Sequence, residues 1–204
     1  MPSGDHGPNR GKGRDNQRDM GTISLKGRLL VATPALHEAT FDRTVILMLE
    51  HGDEGALGLV LNRPSEVELT GPAPDWEPLA AHPRVVFFGG PVAQGSAICL
   101  AHAGSYHETE AWTPLFGRLG ALNIGKSPDE VDRTIDEVRV FSGHAGWGPG
   151  QLEGEIADGA WFVVDADPED AFSSRPLELW RRVLRRQEGR VALYAAFPAD
   201  PALN

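Results

Sequence analysis

Between Gly27 and Ala195 the apolar residues fall in runs of four to six, each stopped by glycine, proline or a polar cluster. Runs of that length suit β-strands and fall short of the ten or more residues a packed helix uses. Residues 29–32 read as a strand ended by Thr33-Pro34, and residues 44–49, apolar on both faces, as a central strand. The polar, glycine-containing segment 51–55 then leads into residues 56–61, which predicts a long-turn hairpin stopped at Asn62-Arg63-Pro64. Residues 85–88 form a further strand that breaks at Gly89-Gly90-Pro91, with 97–101 expected as its antiparallel neighbour and 119–124 as a weaker strand. The Pro-rich stretch 65–84 between them reads as a surface excursion with Trp76 packed beneath it.

Helix signals come late. Ser127, Pro128 and Glu130 spell a capping box, and residues 151–158 a short helix closed by Gly159. A strand at 161–164, a short helix after Asp167-Pro168, a longer one from Pro176 to about Gln187 and a last strand at 191–195 follow. Strands that cluster early and helices that cluster late favour an α+β fold over a doubly wound one. One domain over residues 23–204 is expected. Residues 1–22 carry almost no apolar side chain and read as a disordered tail.

Charge and cysteine content narrow the function classes. The chain carries a net charge of −10, and residues 1–22 contribute a slight positive excess, so the remainder sits near −11. Such a body repels nucleic acid, which argues against a DNA-binding role on charge alone. The basic concentration at Arg181, Arg182, Arg185 and Arg186 reads as the solvated face of a helix, and no helix-turn-helix spacing accompanies it. A single cysteine, Cys99, in an apolar run reads as a buried, inert thiol and excludes an internal disulfide. No apolar stretch approaches the roughly 18 residues of a membrane helix, so no membrane association and a cytoplasmic location are expected.

The segment 142–153 is the richest in chemical suggestion. Four glycines surround Trp147 between an apolar run ending at Phe141 and the helix opening at Gln151. A strand, a glycine-rich turn and a helix start resemble an anion cradle, with His144 as proton donor and Trp147 as stacking face. The spelling fails both nucleotide fingerprints: Pro149-Gly150 stands where a Walker loop needs Lys-Ser/Thr, and the third Rossmann glycine is misplaced. A tight packing turn, with Trp147 filling a core pocket, accounts for the same residues. No Gly-x-Ser-x-Gly elbow occurs, and Glu153 and Glu155, two apart on a short helix, face different ways. His102, His107, Glu108 and Glu110 match no metal-ligand spacing. No metal or cofactor is expected.

Several blocks together resemble the YqgE/AlgH family of bacterial proteins. They are residues 27–34, 41–46, Glu50-His51, 55–64, 88–92, 143–155, Ala160-Trp161 and 179–181, in the family's order. The resemblance implies a largely antiparallel, partly barrel-like sheet with helices packed on it, in a cytosolic bacterial protein. Some members carry a transcriptional-regulator label, but the family implies no agreed activity, cofactor or catalytic residue. Polar and small residues of these blocks lie beside strand ends, where a shared cleft would gather them: Arg43, Asn62, Gly89, Gly90, His144, Gly146, Trp147 and Gln151. The expectation is therefore a non-enzymatic accessory or regulatory protein whose cleft takes a small anionic ligand or a protein partner. An enzyme acting on an anionic substrate at the glycine-rich segment is the alternative, and a transcriptional regulator the third.

Overall fold

In the computed structural model the described residues are 24–36, 38–104, 108–131 and 135–198. The expected tail at 1–22 lies outside them, as does His107. Ten strands make one curled sheet: β1 (Arg28–Ala32), β2 (Val45–Gly52), β3 (Gly55–Val60), β4 (Pro64–Glu68), β5 (Val85–Phe88), β6 (Val92–Ala103), β7 (Trp112–Phe116), β8 (Leu119–Leu122), β9 (Ile135–Trp147) and β10 (Trp161–Asp165). Their main path runs β10-β1-β2-β3-β9-β6-β8-β7, every neighbour antiparallel, and its two ends stay unpaired, so the barrel is half-closed. Three helices complete this single α+β domain: α1 (Gln151–Ala157), α2 (Leu179–Arg185) and α3 (Arg190–Leu193). No helix among the described residues is long and apolar enough to cross a membrane.

Alternation of side chains explains why β1, β2 and β3 are apolar on both faces. Leu29, Val31, Leu47 and Leu59 point to a core shared with Leu179, Trp180, Val183 and Leu184 of α2. Leu30, Ala32, Ile46, Met48 and Val60 point the other way, onto Trp147, Trp161 and Leu152 of α1. A third core lies under the 3₁₀ turn Pro74–Leu79, where Trp76 is buried as expected against Cys99, Trp112 and Val140. Cys99 is indeed buried, and desolvation pushes its thiol well above the ordinary range. The β2–β3 hairpin is tighter than predicted: Gly52 lies opposite Gly55, leaving only Asp53 and Glu54 in the turn.

Four expectations need correction. Residues 142–147 are not a loop but the second half of the 13-residue strand β9; only Gly148–Gly150 turns. β6 does not pair with β5. It runs antiparallel to β8 and β9, while β5 lies parallel to β9 and antiparallel to β4. The cause is a crossing: Gly89-Gly90-Pro91 carries the chain over β9 from one edge to the other, backbone against backbone. Residues 191–195 are helical, in α3 and the 3₁₀ turn Tyr194–Ala196, because only Ala195 is buried there and Leu193 is 74% exposed. Finally, the helix expected from Pro176 to about Gln187 opens as the 3₁₀ turn Pro176–Glu178 and is α-helical only over α2; its arginine face is largely solvated as expected, with Arg182, Arg185 and Arg186 exposed and Arg181 half-buried. Arg186 grips the buried Asp170 with two bonds of 2.7 and 2.5 Å, and Arg181 donates to the carbonyls of Ala195 and Phe197.

Candidate functional site

At its C-terminal end β9 pairs with β3, Ala56 opposite Trp147, which fixes the Trp147 backbone. The turn at Gly148–Gly150 then starts α1, and the Gly148 N–H donates to Gln151 Oε1 at 3.1 Å, tying the helix start to the turn. One turn along, Gln151 Nε2 donates to Glu155 Oε1 at 2.9 Å, the i,i+4 contact of a helix face. Trp161 opens β10 opposite Ala32, and its indole N–H reaches Glu155 Oε2 at 2.8 Å. The Trp147 indole donates to the same oxygen at 2.9 Å. One carboxylate therefore sets two indoles edge to face, their centroids 6.2 Å apart at 82°.

Phe41, from the segment linking β1 to β2, adds a third ring 5.8 Å from Trp161. Beside these rings lies a pocket of about 170 Å³. Leu36, Phe41, Trp147 and Trp161 form its apolar wall, Glu38, Gln151 and Glu155 its polar side, and the exposed Gly146 its rim. Among the described residues the lining includes no Lys, Arg or His and no Ser, Thr or Cys. Its acidic side is the opposite of what an anion site needs.

The structure gathers Gly146, Trp147 and Gln151 of the eight expected residues into this pocket and sends the others elsewhere. Arg43 turns to the C-terminal segment, where it donates to the carbonyl of Pro198 and lies 4.9 Å over the Trp180 ring. Asn62 is a backbone staple: its Oδ1 accepts from Val45 N at 2.9 Å and its Nδ2 donates to Arg43 O at 2.8 Å. Gly89 and Gly90 form the crossing over β9, and a Cβ on either would overlap the backbone of Gly143 or His144. His144 stands opposite Val92 within the sheet, outside the pocket lining. Sequence reasoning missed Glu155, Trp161, Phe41, Leu36 and Glu38. The Gln151–Glu155 spacing was a usable signal. Glu153 does face away from Glu155, as the spacing implied, and meets His51 at 3.0 Å.

Two other features compare less well. A larger groove of about 360 Å³ runs between β5 and the bulged start of β6, past Val67, Phe88, Ala97 and Val140. It is almost wholly apolar, and the Ser142 hydroxyl on its wall is already donated to Gln94 O at 2.5 Å. His102, Glu137 and Glu169 gather on β6, β9 and the 3₁₀ turn Pro168–Phe172, with His102 Nδ1 at 3.1 Å from Glu137 and 3.9 Å from Glu169. The His102 Nε2 is buried without a partner among the described residues. A metal on Nδ1 would force the ring proton onto that orphan nitrogen, whereas a ligating histidine normally passes its second N–H to an acceptor. A plain His102–Glu137 hydrogen bond, closed by the Phe172 ring at 4.2 Å, fits better.

Comparison with known proteins places this arrangement in a family. The profile described as DUF179, AlgH-like, matches residues 29–192. A UPF0301 protein of Streptomyces coelicolor is 46% identical over 185 residues, covering 89% of this chain and 96% of its own. A UPF0301 protein of Thermobifida fusca is 41% identical, covering 91% and 98%. Among solved structures, a crystal structure of a Corynebacterium diphtheriae protein matches with a TM-score of 0.78 at 34% identity, over 84% of this chain and 91% of that one. The solution structure of the AlgH protein from Pseudomonas aeruginosa matches with a TM-score of 0.63 at 29% identity, over 87% and 96%.

Proposed function

The chain belongs to the AlgH-like family, and from that premise we propose that it is a non-enzymatic accessory or regulatory protein of the bacterial cytoplasm that binds a small ligand in the pocket lined by Trp147 and Trp161. One observation carries the reading. The carboxylate set deeper in the pocket, Glu155, is tied by Trp147, Trp161 and Gln151, and its role is to hold the rings in place. Covalent catalysis needs a nucleophile with a base beside it; the other carboxylate, Glu38, stands exposed at the rim, and the described lining residues add no hydroxyl, thiol, amine or imidazole. Rigid aromatic walls with a few oriented polar groups are what a binding site requires. The alternative, an enzyme using a glycine cradle and His144, loses support because that segment is strand, flanked by β6 on one edge and by β5 and β3 on the other.

Phe41 provides the test. Its half-buried ring lines the pocket against Trp161 and takes no part in the Glu155 hydrogen bonds, so Phe41→Ala removes one wall and leaves the two indoles held. A ligand present at a hundred times its Kd stabilises the folded state by about 2.7 kcal/mol. For a domain of this size that raises Tm by roughly 5–10 °C. A thermal-shift screen of metabolites is expected to give at least one compound with such a shift on the wild type and at most half of it on Phe41→Ala. Equal shifts on both proteins, or turnover of any screened compound, would overturn the proposal.

A further inference from the structure

Resting on the reading of this pocket as the binding site, we infer that its ligand is a small organic cation, an ammonium or guanidinium head group on a short stem. No charged partner sits on Glu155: all three of its hydrogen-bond donors, two indoles and one amide, are neutral. Asp170, by contrast, meets the cations Arg186 and Arg182. A carboxylate has about four acceptor positions, so three donors leave one open. Glu38 brings a second carboxylate to the rim, and among the described residues no basic side chain in the lining offsets either charge. The walls add the faces and edges of Trp147, Trp161 and Phe41, and tryptophan is the strongest cation–π partner.

Size and field agree with that chemistry. At about 170 Å³ the pocket is smaller than the roughly 300–1,000 Å³ that takes a drug-sized ligand, so it fits a head group rather than a whole cofactor. A net charge of −10 raises the local concentration of cations and repels anions. A bare metal ion fits poorly, since it would need Glu155 to give up the indole N–H groups that set the walls.

The test is a titration with choline, methylamine and methylguanidine against 3,3-dimethylbutan-1-ol, which has the shape of choline without its charge, and acetate. The readout is the indole N–H signals of Trp147 and Trp161. At least one cation is expected to shift both signals with a Kd tenfold or more below that of the neutral alcohol, and acetate is expected to shift neither. Glu155→Gln, which keeps an acceptor for the indoles, should bring cation and alcohol within about twofold. Glu38→Gln, at the exposed rim, should weaken cation binding several-fold and leave the alcohol unchanged. Alcohol or acetate binding as tightly as the best cation overturns the cation inference and leaves the pocket standing as a binding site. No shift with any of the three cations also overturns it, and if the metabolite screen is blank as well, the pocket reading falls with it.

Discussion

Gly90→Ala is expected to abolish the fold. The Gly89-Gly90 step carries the chain over β9, and a Cβ at Gly90 would sit on the carbonyl carbon of His144 and the amide nitrogen of Ala145. Those atoms belong to the backbone of the strand that joins both halves of the sheet, so neither side can move away without unpairing β6 or β3. The backbone at Gly90 also has φ +151°, a region that side chains rarely adopt. Steric overlap with fixed backbone lies at the extreme of single-residue effects, above about 4–5 kcal/mol. That approaches the whole stability of a domain, about 5–15 kcal/mol. The expected result is loss of the cooperative unfolding transition or of soluble protein. Gly154→Ala is the control: it sits inside α1 with nothing within 4 Å of its Cβ position, and should raise stability by about 0.5–1 kcal/mol. A Gly90→Ala protein with the wild-type denaturant midpoint would contradict the crossing.

Arg139→Met is expected to cost about 3 kcal/mol, read as a lowered denaturant midpoint at unchanged slope. Arg139 is 2% exposed on β9, and its guanidinium donates to the carbonyls of Ala171, Ser173 and His82 at 3.0, 3.0 and 2.6 Å. It also lies 4.3 Å over the Phe87 ring. Burial depresses its pKa from the ordinary arginine range to about 10, with Glu137 opposing the shift. Carrying the charge at neutral pH therefore costs the folded state about 3 kcal/mol, and methionine removes that cost. Leaving three buried carbonyls without donors costs about 1–3 kcal/mol each, and this larger sum decides the sign. The pH dependence follows the depressed value. From about pH 10 up to the ordinary arginine range the unfolded chain holds a proton that the folded protein has released, so this group's contribution to stability rises with pH across that window. A wild-type midpoint for Arg139→Met at pH 7 would contradict the role assigned to this side chain.

Local signals in the sequence survive folding well. The apolar runs became β1, β2, β3, β5, β8 and β10, and the capping box at Ser127 and the helix start at Asp167-Pro168 open real 3₁₀ turns, at Pro128–Glu130 and Pro168–Phe172. What stayed hidden depends on partners distant in the chain. The glycines at 89–90 and 143 mark a close approach of the protein's own backbone to itself. That crossing sets β5 and β6 on opposite edges of β9, which no local pattern encodes. Residues 191–195 have strand-like composition, yet Leu193 faces solvent and the segment packs as a helix beside α2. The site divides along the same line. Gly146, Trp147 and Gln151 were legible because they sit in one short stretch, whereas Trp161 and Phe41 join them only through the register of β10, β1 and β3. Arg43 and Asn62 looked like cleft residues because polar groups beside strand ends serve ligands and backbone equally well. Here they serve the backbone.

The most direct test of the pocket is the spectrum of the five tryptophan indole N–H groups in the presence of any compound that raises Tm. Trp147 and Trp161 line the pocket, while Trp76 donates to Lys126 O and Trp180 to Ala32 O in separate places, and Trp112 lies in the core beneath the Pro74–Leu79 turn. Binding in the pocket lined by the two indoles shifts Trp147 and Trp161 together and leaves Trp76, Trp112 and Trp180 unmoved. A stabilising compound that leaves Trp147 and Trp161 in place and shifts one of the other three would put the binding site elsewhere on the sheet and contradict the assignment.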